Sequence, residues 1–290
     1  RRSPDLQKQY QTYHQRGQEF CRSRSINPIS ASLGDDVEFL YHQYENGQSY
    51  SSINTARSAL STVIFLPDGG SFGNHPLVSR FLKGVFELRP SLPRYKDVWD
   101  VSVVFDYLKT LTPLEELNLK DITNKTVLLV ALLPGQRCQT VHALTISGTR
   151  ITKDTVHFEI AKLLKTSKPG KHQGHLELKS YPADQRLCVV TCLKQYVKLT
   201  EPIRAGLDPL WMSYNKPFKA VHRDTVSRWI KNVLEKADVN TKVFSAHSTR
   251  ATAASAAHSN NVSINTVMEA AGWSRDSTFK KFYDKPVKDV

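Results

Sequence analysis

Two prolines within five residues, Pro90 and Pro93, divide the chain more sharply than any other feature of the sequence. A proline ring fixes φ, removes a backbone donor and disfavours a helical conformation at the preceding residue, so no helix continues through RPSLP. The segment 89–93 is therefore predicted to be an extended linker. It separates a domain of residues 1–88 from a domain of residues 94–290, and both are long enough to bury a core.

The first domain shows helical periodicity only. Apolar stripes predict helices over 6–21, 37–44, 51–65 and 75–88, and the breaks SINPIS and LPDGGSFGNHP separate them. A small helical bundle of this kind is compatible with many functions. Its composition therefore predicts a fold but no activity.

The second domain is predicted to mix helices with a small antiparallel sheet. Helices are expected over 101–111, from 118 or 121 to 133, over 187–199 and over 222–237, and the run VLLVALL must be buried because it is apolar on nearly every side. Between 152 and 181 the period falls to two, and HFEIAKLL and HLELKSY predict paired strands joined by KTSKPGKHQG. LWMSY predicts a further short strand. The fold class is thus mainly α with a small antiparallel sheet.

The net charge indicates what kind of partner the chain binds, and the cysteine spacing indicates whether it binds zinc. The net charge is +13; the first 92 residues hold ten Lys and Arg against eight Asp and Glu, and the other 198 hold thirty against nineteen. A basic second domain favours a polyanionic partner, although a basic solvated surface is an open alternative. The spacing of the four cysteines gives no zinc pattern and favours reduced, buried thiols: Cys21, Cys138, Cys188 and Cys192.

No apolar run is long enough to cross a membrane. The first residues, RRSPDLQKQY, lack an initiator Met and the apolar segment of a signal peptide, so we expect the sequence to begin within a longer protein.

Most of the candidate catalytic side chains lie in residues 244–283. Ser245 is positioned to cap a helix that the following alanine-rich run continues, and His247 and Arg250 are then expected on one face of its first turn. An imidazole and a guanidinium at the positive end of a helix favour phosphate binding.

A second helix is predicted from Ser263 to Gly272, which is placed to end it. Trp273 follows directly, and Tyr283 comes ten residues later, after an apolar stripe that predicts one more short helix. Taken singly, each of these side chains is compatible with an ordinary position at the rim of a core.

The order HSTR, AGW, KFY resembles the C-terminal signature of the tyrosine recombinase (phage integrase) superfamily. HSTRATAASAAHSNNVSINTVMEAAGW is particularly similar to Cre-type recombinases, and AGWSRDSTFKKFYDKP looks most like the recombinases encoded by DIRS-type retrotransposons. The resemblance implies a helical, SAM-like core-binding domain over 1–88 and a catalytic domain over 94–290, which together form a C-shaped clamp around DNA.

Catalytic residues follow from the same resemblance. It implies Tyr283 as nucleophile, with Arg137, Lys165, His247, Arg250 and Trp273 around the scissile phosphate. Lys168 and Lys171, on the same hairpin, stay open as alternatives for the catalytic lysine. At Thr140 the family has Glu or Asp, so the group that orients Arg137 is not defined by the sequence.

Contacts with the DNA backbone or grooves are expected from the first domain, from the hairpin and from the helix over 222–237. Surface solvation is the competing explanation for each of these residues. The candidates are Arg57, Arg80, Lys83, Lys168, Lys171, Arg223, Arg228 and Lys231.

The implied reaction transfers a phosphoryl group to the Tyr283 hydroxyl, forming a 3′-phosphotyrosyl bond and a free 5′ hydroxyl, and it needs no metal, ATP or other cofactor. The implied partner is double-stranded DNA, bound by a homotetramer on synapsed sites, with a monomer or weak dimer in its absence and with no membrane. The resemblance to mobile elements implies integration in the nucleus. Three alternatives remain open: a type IB topoisomerase, a DNA-binding relative without activity, and a helical interaction domain.

Overall fold

The structure, a computed structural model, describes residues 4–67, 69–92, 95–164, 167, 169–170, 174–273 and 285–287, with side chains from residue 6 onward. The chain divides into two compact units, Arg1–Pro93 and Arg94–Val290, and the division falls at the end of the predicted linker. Within the described ranges, no helix combines the length and the apolar content that a membrane crossing requires.

The first unit is a helical bundle around a core that includes Phe39, Leu40, Ile53 and Phe72. Its described helices are α1 Pro4–Ser23, α2 Leu33–Glu45, α3 Tyr50–Leu60 and α4 Pro76–Leu88.

Helix α3 is shorter than the apolar stripe predicted. It ends at Leu60, where the hydroxyl groups of Ser61 and Thr62 donate to the backbone oxygens of Arg57 and Ala59, at 2.8 and 2.7 Å. Hydroxyl groups that bond back to the last turn compete with continuation of the helix. The prediction of helix up to residue 65 was therefore wrong.

The second unit surrounds α6, whose residues Ile122–Leu132 are all buried. This helix packs against α8, α9 and α10, which explains why its sequence is apolar on nearly every side. The described elements of this unit are α5 Val101–Thr110, α6 Leu119–Leu132, α7 Cys138–His142, β1 Thr149–Ile151, β2 Thr155–Glu159, β3 His175–Lys179, α8 Val189–Thr200, α9 Arg223–Lys236, α10 Ser248–Ser259 and α11 Ile264–Ala271.

The strands form one antiparallel sheet in the order β1, β2, β3. Val156 is paired with Leu178 and Phe158 with Leu176, and these four side chains form the buried face of the hairpin. The pairing confirms the predicted hairpin and the predicted fold class, mainly helix with a small antiparallel sheet. The first strand is shorter than HFEIAKLL predicted, because it ends at Glu159 and does not continue to Leu164.

One strand was not predicted, and one predicted strand does not form. The sequence did not reveal β1, because three residues are too few to show an alternating pattern. LWMSY was predicted as a strand, but it forms one isolated bridge, that of Met212 with Ala220, and belongs to no named strand.

Candidate active site

Arg250 lies at the centre of the candidate site. Its side chain is fully buried in the first turn of α10, and its Nη2 donates to the backbone oxygen of Ala271 at 3.0 Å. The guanidinium carbon lies 4.8 Å from the centre of the Trp273 ring. This cation–π contact joins two residues of the predicted site directly.

Trp273 reaches Arg250 because α11 ends where the sequence predicts. Ser263 caps the start of α11 by accepting from the backbone N of Thr266, and Gly272 ends the helix with φ at +66°. That left-handed conformation suits glycine, which has no Cβ to clash. The chain therefore turns at once, and Trp273 packs on α10 with only 9% of its surface exposed.

His247 stands at the N-cap position of α10, and its side chain is exposed while that of Arg250 is buried. The sequence placed Ser245 at the cap. In the structure the Ser245 hydroxyl accepts from the backbone N of His247 at 3.3 Å, and the helix begins three residues later, at Ser248. The predicted i, i+3 spacing of His247 and Arg250 is present, but the helix start was placed too early.

Two buried aromatic residues that no sequence motif indicated, Tyr95 and Trp99, hold the turn before α10 by hydrogen bonds. The Tyr95 hydroxyl is 2.7 Å from the Ser245 hydroxyl, and the Trp99 indole donates to the hydroxyl of Ser248 at 2.9 Å. Ser248 in turn donates to the backbone oxygen of Ser245 at 2.7 Å. Both aromatic rings are buried, so the backbone that carries His247 is fixed by the interior of the unit.

The turn before α7 packs against α10, which carries Arg250, and against α11, which ends just before Gly272 and Trp273. Gln136 donates to the backbone oxygen of Ala270 at 2.6 Å. Gly135 has φ at +60°, and a Cβ built on it would lie 3.8 Å from Ala271 Cβ and 3.9 Å from the backbone oxygen of Arg250. The chain just before Arg137 is thus packed against α10 and α11.

Arg137 is half-buried at the N-cap position of α7. Within the described residues its guanidinium makes no hydrogen bond or ion pair, in contrast to that of Arg250. Thr140, where the resembled family has a carboxylate, is buried one turn into the helix. Nothing in the described part of the chain thus orients the guanidinium of Arg137.

The remaining predicted catalytic residues, Lys165 and Tyr283, lie outside the described residues, as do Lys168 and Lys171. The described residues that flank Tyr283 both contact α10. Trp273 contacts Arg250, and the backbone N of Lys285 donates to the Ser255 hydroxyl at 3.2 Å.

Residues 285–287 are also held by the segment that follows the linker. The backbone N of Val98 donates to the backbone oxygen of Pro286 at 2.9 Å, and Val98 forms a parallel bridge with Val287. The Lys285 ammonium group also donates to the backbone oxygen of Tyr95.

In the first unit, the predicted DNA contacts divide into two kinds. Arg80 and Lys83 are exposed on α4, and Lys83 lies 4.0 Å from Glu87. Arg57 is half-buried and donates to the backbone oxygen of Gly73 at 3.0 Å, so its guanidinium is engaged in holding a turn of its own unit. This contact favours a structural role for Arg57.

In the second unit, Arg223, Arg228 and Lys231 are exposed on α9. The opposite face of this helix buries Trp229 and Ile230 in the core, as the apolar stripe predicted.

The cysteines are free thiols, and Cys21, Cys188 and Cys192 are buried. Burial raises the pKa of Cys192 to about 12, so this thiol stays protonated near neutral pH. Among the described residues, no group of three or more His, Cys, Asp or Glu side chains could hold a metal ion.

The residue types in this candidate site are those that bind and polarise a phosphate. A guanidinium stays charged near neutral pH and can donate to two oxygens at once, and an indole can only donate. Preorganised donors in a partly buried site stabilise charge that develops on phosphate oxygens. An exposed imidazole at the helix start adds a group that can accept a proton.

Solved structures with a similar fold include DNA-bound recombinases and integrases. The XerH site-specific recombinase bound to difH substrate has a TM-score of 0.58 at 15% identity, with 87% of this chain and 67% of that chain covered. A lambda integrase dimer bound to a COC′ core site has a TM-score of 0.57 at 13% identity, with coverages of 98% and 73%. For the Tn1549 transposon integrase in complex with transposon right end DNA the TM-score is 0.56 at 15% identity, with coverages of 88% and 81%.

The comparison with curated proteins finds no matching sequence. A family profile described as the phage integrase family matches residues 104–288, which is well over half of the chain and includes every predicted catalytic position. Together with the buried Arg250–Trp273 pair and the docked turn before Arg137, this match shows that the chain belongs to the phage integrase family.

Proposed function

We propose that the chain is a site-specific DNA recombinase that cuts and rejoins DNA through a covalent 3′-phosphotyrosyl intermediate. The observation that carries the proposal is the packing of three predicted site segments on one pair of helices. Arg250 lies in α10, Trp273 stacks on its guanidinium, and the turn that leads to Arg137 docks on α10 and α11. Arg137 is more than one hundred positions from the other two residues in sequence. No packing requirement by itself demands a buried guanidinium where these segments meet.

The chemical step is a transfer between oxygens. The Tyr283 oxygen forms a bond to the scissile phosphorus while the bond to the 5′ oxygen breaks, so the number of phosphoester bonds is conserved and no ATP is required. His247 accepts the phenol proton, and Lys165 gives a proton to the departing 5′ oxygen. Arg137, Arg250 and the Trp273 indole hold the non-bridging oxygens as charge develops.

The wider assignment is part of the same proposal. The likeness of AGWSRDSTFKKFYDKP to DIRS-type recombinases supports a role in integrating a mobile element in the nucleus. Among the similar structures is a lambda integrase tetramer bound to a Holliday junction, which supports a homotetramer on synapsed DNA for this chain. We expect the first unit to contact the duplex as well.

A duplex nicked close to the scissile phosphate tests the reaction, because loss of the short fragment traps the covalent complex. With candidate terminal-repeat DNA, we expect a band that survives denaturation and is absent in Tyr283→Phe. Tyr181→Phe, a change at an exposed tyrosine of the same unit, is the matched control and should leave the band unchanged. A band that persists in Tyr283→Phe would contradict the proposal.

Arg137→Gln separates catalysis from folding. Removal of one charged donor to the phosphate should lower the rate of covalent complex formation roughly 10²- to 10³-fold. The melting temperature should hardly change, because the guanidinium has no partner among the described residues. A normal rate would show that Arg137 is not a catalytic residue.

The second candidate is a DNA-binding protein without catalytic activity. It is favoured because Thr140 stands where the resembled family has a carboxylate, and among the described residues no other carboxylate orients Arg137. It predicts salt-dependent binding of DNA with no covalent band on any substrate. Joining of two separate duplexes into a recombinant product would distinguish the recombinase from a nicking and resealing enzyme.

A further inference from the structure

A second concave region lies at the other end of α7 from Arg137. It is a cavity of about 580 Å³, bordered by His142 at the end of α7, by Lys162 in the connection that follows β2, and by His222 just before α9. These three side chains come from three separate segments of the second unit. The proposed reaction uses none of them.

Positive charge accumulates at this cavity. Arg223 follows His222 directly, and the centres of the His142 and His222 rings are 6.3 Å apart. Burial, and then the charges of Lys162, His222 and Arg223, lower the pKa of His142, while its hydrogen bond to Val221 opposes the shift. The cationic groups around His142 thus act on it as a positive field.

Asp224 is an acidic group that lies against this cluster. It lies 3.4 Å from His222 Nδ1 and 3.6 Å from Arg223 Nε, and both it and His222 are exposed. An exposed pair of this kind is screened by water and salt, so it offsets only a small part of the positive charge.

Hydrogen bonds fix which imidazole nitrogens can act. His142 Nε2 lies 2.9 Å from the backbone oxygen of Val221, which can only accept, so the neutral ring carries its proton on Nε2. His222 Nδ1 accepts from the backbone N of Asp224 at 3.4 Å as the cap of α9. Protonation of His142 therefore adds a new donor, at Nδ1.

We propose that this cavity binds a second backbone phosphate of the DNA strand on which the reaction occurs, with Lys162, His222 and protonated His142 as its ligands. The inference rests on the proposed function, because it requires that the chain binds DNA. The five residues of α7 span about 8 Å at about 1.5 Å each. This length is of the order of two base-pair rises of about 3.4 Å, so the second phosphate lies within a few nucleotides of the first.

Binding of the phosphate stabilises protonated His142, so affinity should increase as pH falls. We would measure the anisotropy of a fluorescent duplex with the full chain carrying Tyr283→Phe, at pH 6 and pH 8 and at several salt concentrations. His142→Gln keeps a donor towards Val221, and His222→Asn keeps a residue type that caps helices well. Lys162→Met removes one exposed charge, and Lys198→Met, exposed on α8 and outside the cavity, is its matched control.

Lys162→Met should weaken binding about 3- to 10-fold and reduce the slope of log K against log salt by about 0.9, as expected for one lost phosphate contact. His142→Gln should reduce the ratio of the affinities at pH 6 and pH 8 by at least about twofold relative to its parent, and His222→Asn should weaken binding at both pH values. Lys198→Met should change neither the slope nor this ratio.

Methylphosphonate substitution locates the contact, because it removes the charge of one phosphate at a time. We expect one position near the scissile phosphate where substitution weakens the parent chain but not Lys162→Met. Salt slopes and pH ratios that are unchanged in all three cavity variants would overturn this inference and leave the proposed function intact. If the parent chain does not bind DNA at all, both fail together.

Discussion

The starts of α2 and α10 are built in opposite ways. At α2 the Ser32 hydroxyl accepts from the backbone N of Asp35 at 3.2 Å, and the Asp35 carboxylate accepts from the backbone N of Ser32 at 2.8 Å. At α10 the N-cap residue, His247, makes no side-chain capping bond. The second start is fixed instead by Tyr95 and Trp99, from about 150 positions earlier in the chain.

At the start of α2 the capping side chains stabilise the helix itself, whereas at the start of α10 the N-cap side chain makes no capping bond. A capping box is complete within four residues and uses its side chains to satisfy the helix itself. At α10 the support comes from outside, which leaves His247 exposed at the positive end of the helix and Arg250 buried beside it. Substitutions at the two starts should therefore have different consequences.

The largest effect is expected for Arg250→Gln. It removes the bond to the Ala271 backbone oxygen and the contact with Trp273, at a cost of about 3 kcal/mol in the free energy of unfolding. The covalent complex should be lost as well. Arg250→Lys keeps the charge without the planar fork and should recover neither property. Denaturant unfolding and the nicked-duplex assay measure both, and normal stability in Arg250→Gln would show that the guanidinium is not part of the core.

Asp36→Asn should have the next largest effect, with the opposite sign. Burial, and then the charge of Asp35, raise the pKa of Asp36 to about 7. The folded chain therefore binds a proton that the unfolded chain releases near pH 4, and this contribution to stability is lost as pH rises from about 4 to 7. Asp36→Asn should gain about 2 kcal/mol at pH 8, allowing for partial exposure, and nothing at pH 4.

The control for this prediction is Asp35→Asn. Hydrogen bonds from Ser32 lower the pKa of Asp35, so the charged carboxylate contributes to stability above its ordinary pKa. Its replacement should lower the melting temperature at pH 8, while Asp36→Asn raises it. Equal gains for Asp36→Asn at pH 4 and pH 8 would show that titration is not the cause.

Trp99→Phe tests the external support of α10. Loss of the indole donor to Ser248 should cost about 1.5 kcal/mol and slow covalent complex formation several-fold through the turn that holds His247. Tyr95→Phe removes the hydroxyl contact with Ser245 and should act in the same direction. An unchanged rate in both variants would mean that this turn needs no support from them.

The smallest effect is expected for Ser32→Ala. Loss of the N-cap should lower the free energy of unfolding of the first unit by about 1 kcal/mol. The amount of covalent complex at saturating DNA should stay normal, since α2 carries no proposed catalytic residue. Hydrogen exchange would assign the change to the first unit, and a loss of reaction comparable to that of Trp99→Phe would remove the distinction between the two helix starts.

Features encoded by neighbouring residues were predictable from the sequence. The buried helix α6 and the end of α11 at Gly272 follow from an apolar run and from a glycine placed after a stripe. The end of α3 was missed because two hydroxyl groups near Ser61 compete with the helix where the stripe continues. Strand β1 was missed because it is recognisable only from its pairing with β2.

The part of the candidate site that lies within sequence motifs was predictable. HSTR and AGW indicated Arg250 and Trp273, and the structure places them in contact. The support from Tyr95 and Trp99 and the docking of Gly135 on α10 were not predictable, because each depends on tertiary contacts between residues that are more than one hundred positions apart.

The most direct test of the central claim is to identify the residue and the DNA end that become linked. After reaction with a nicked duplex, protease and nuclease digestion followed by mass spectrometry should give one modified peptide. We predict a nucleotide attached through its 3′ phosphate to Tyr283, with Arg250→Gln yielding no such peptide. A 5′ linkage, attachment to another residue, or an undiminished yield from Arg250→Gln would contradict the account.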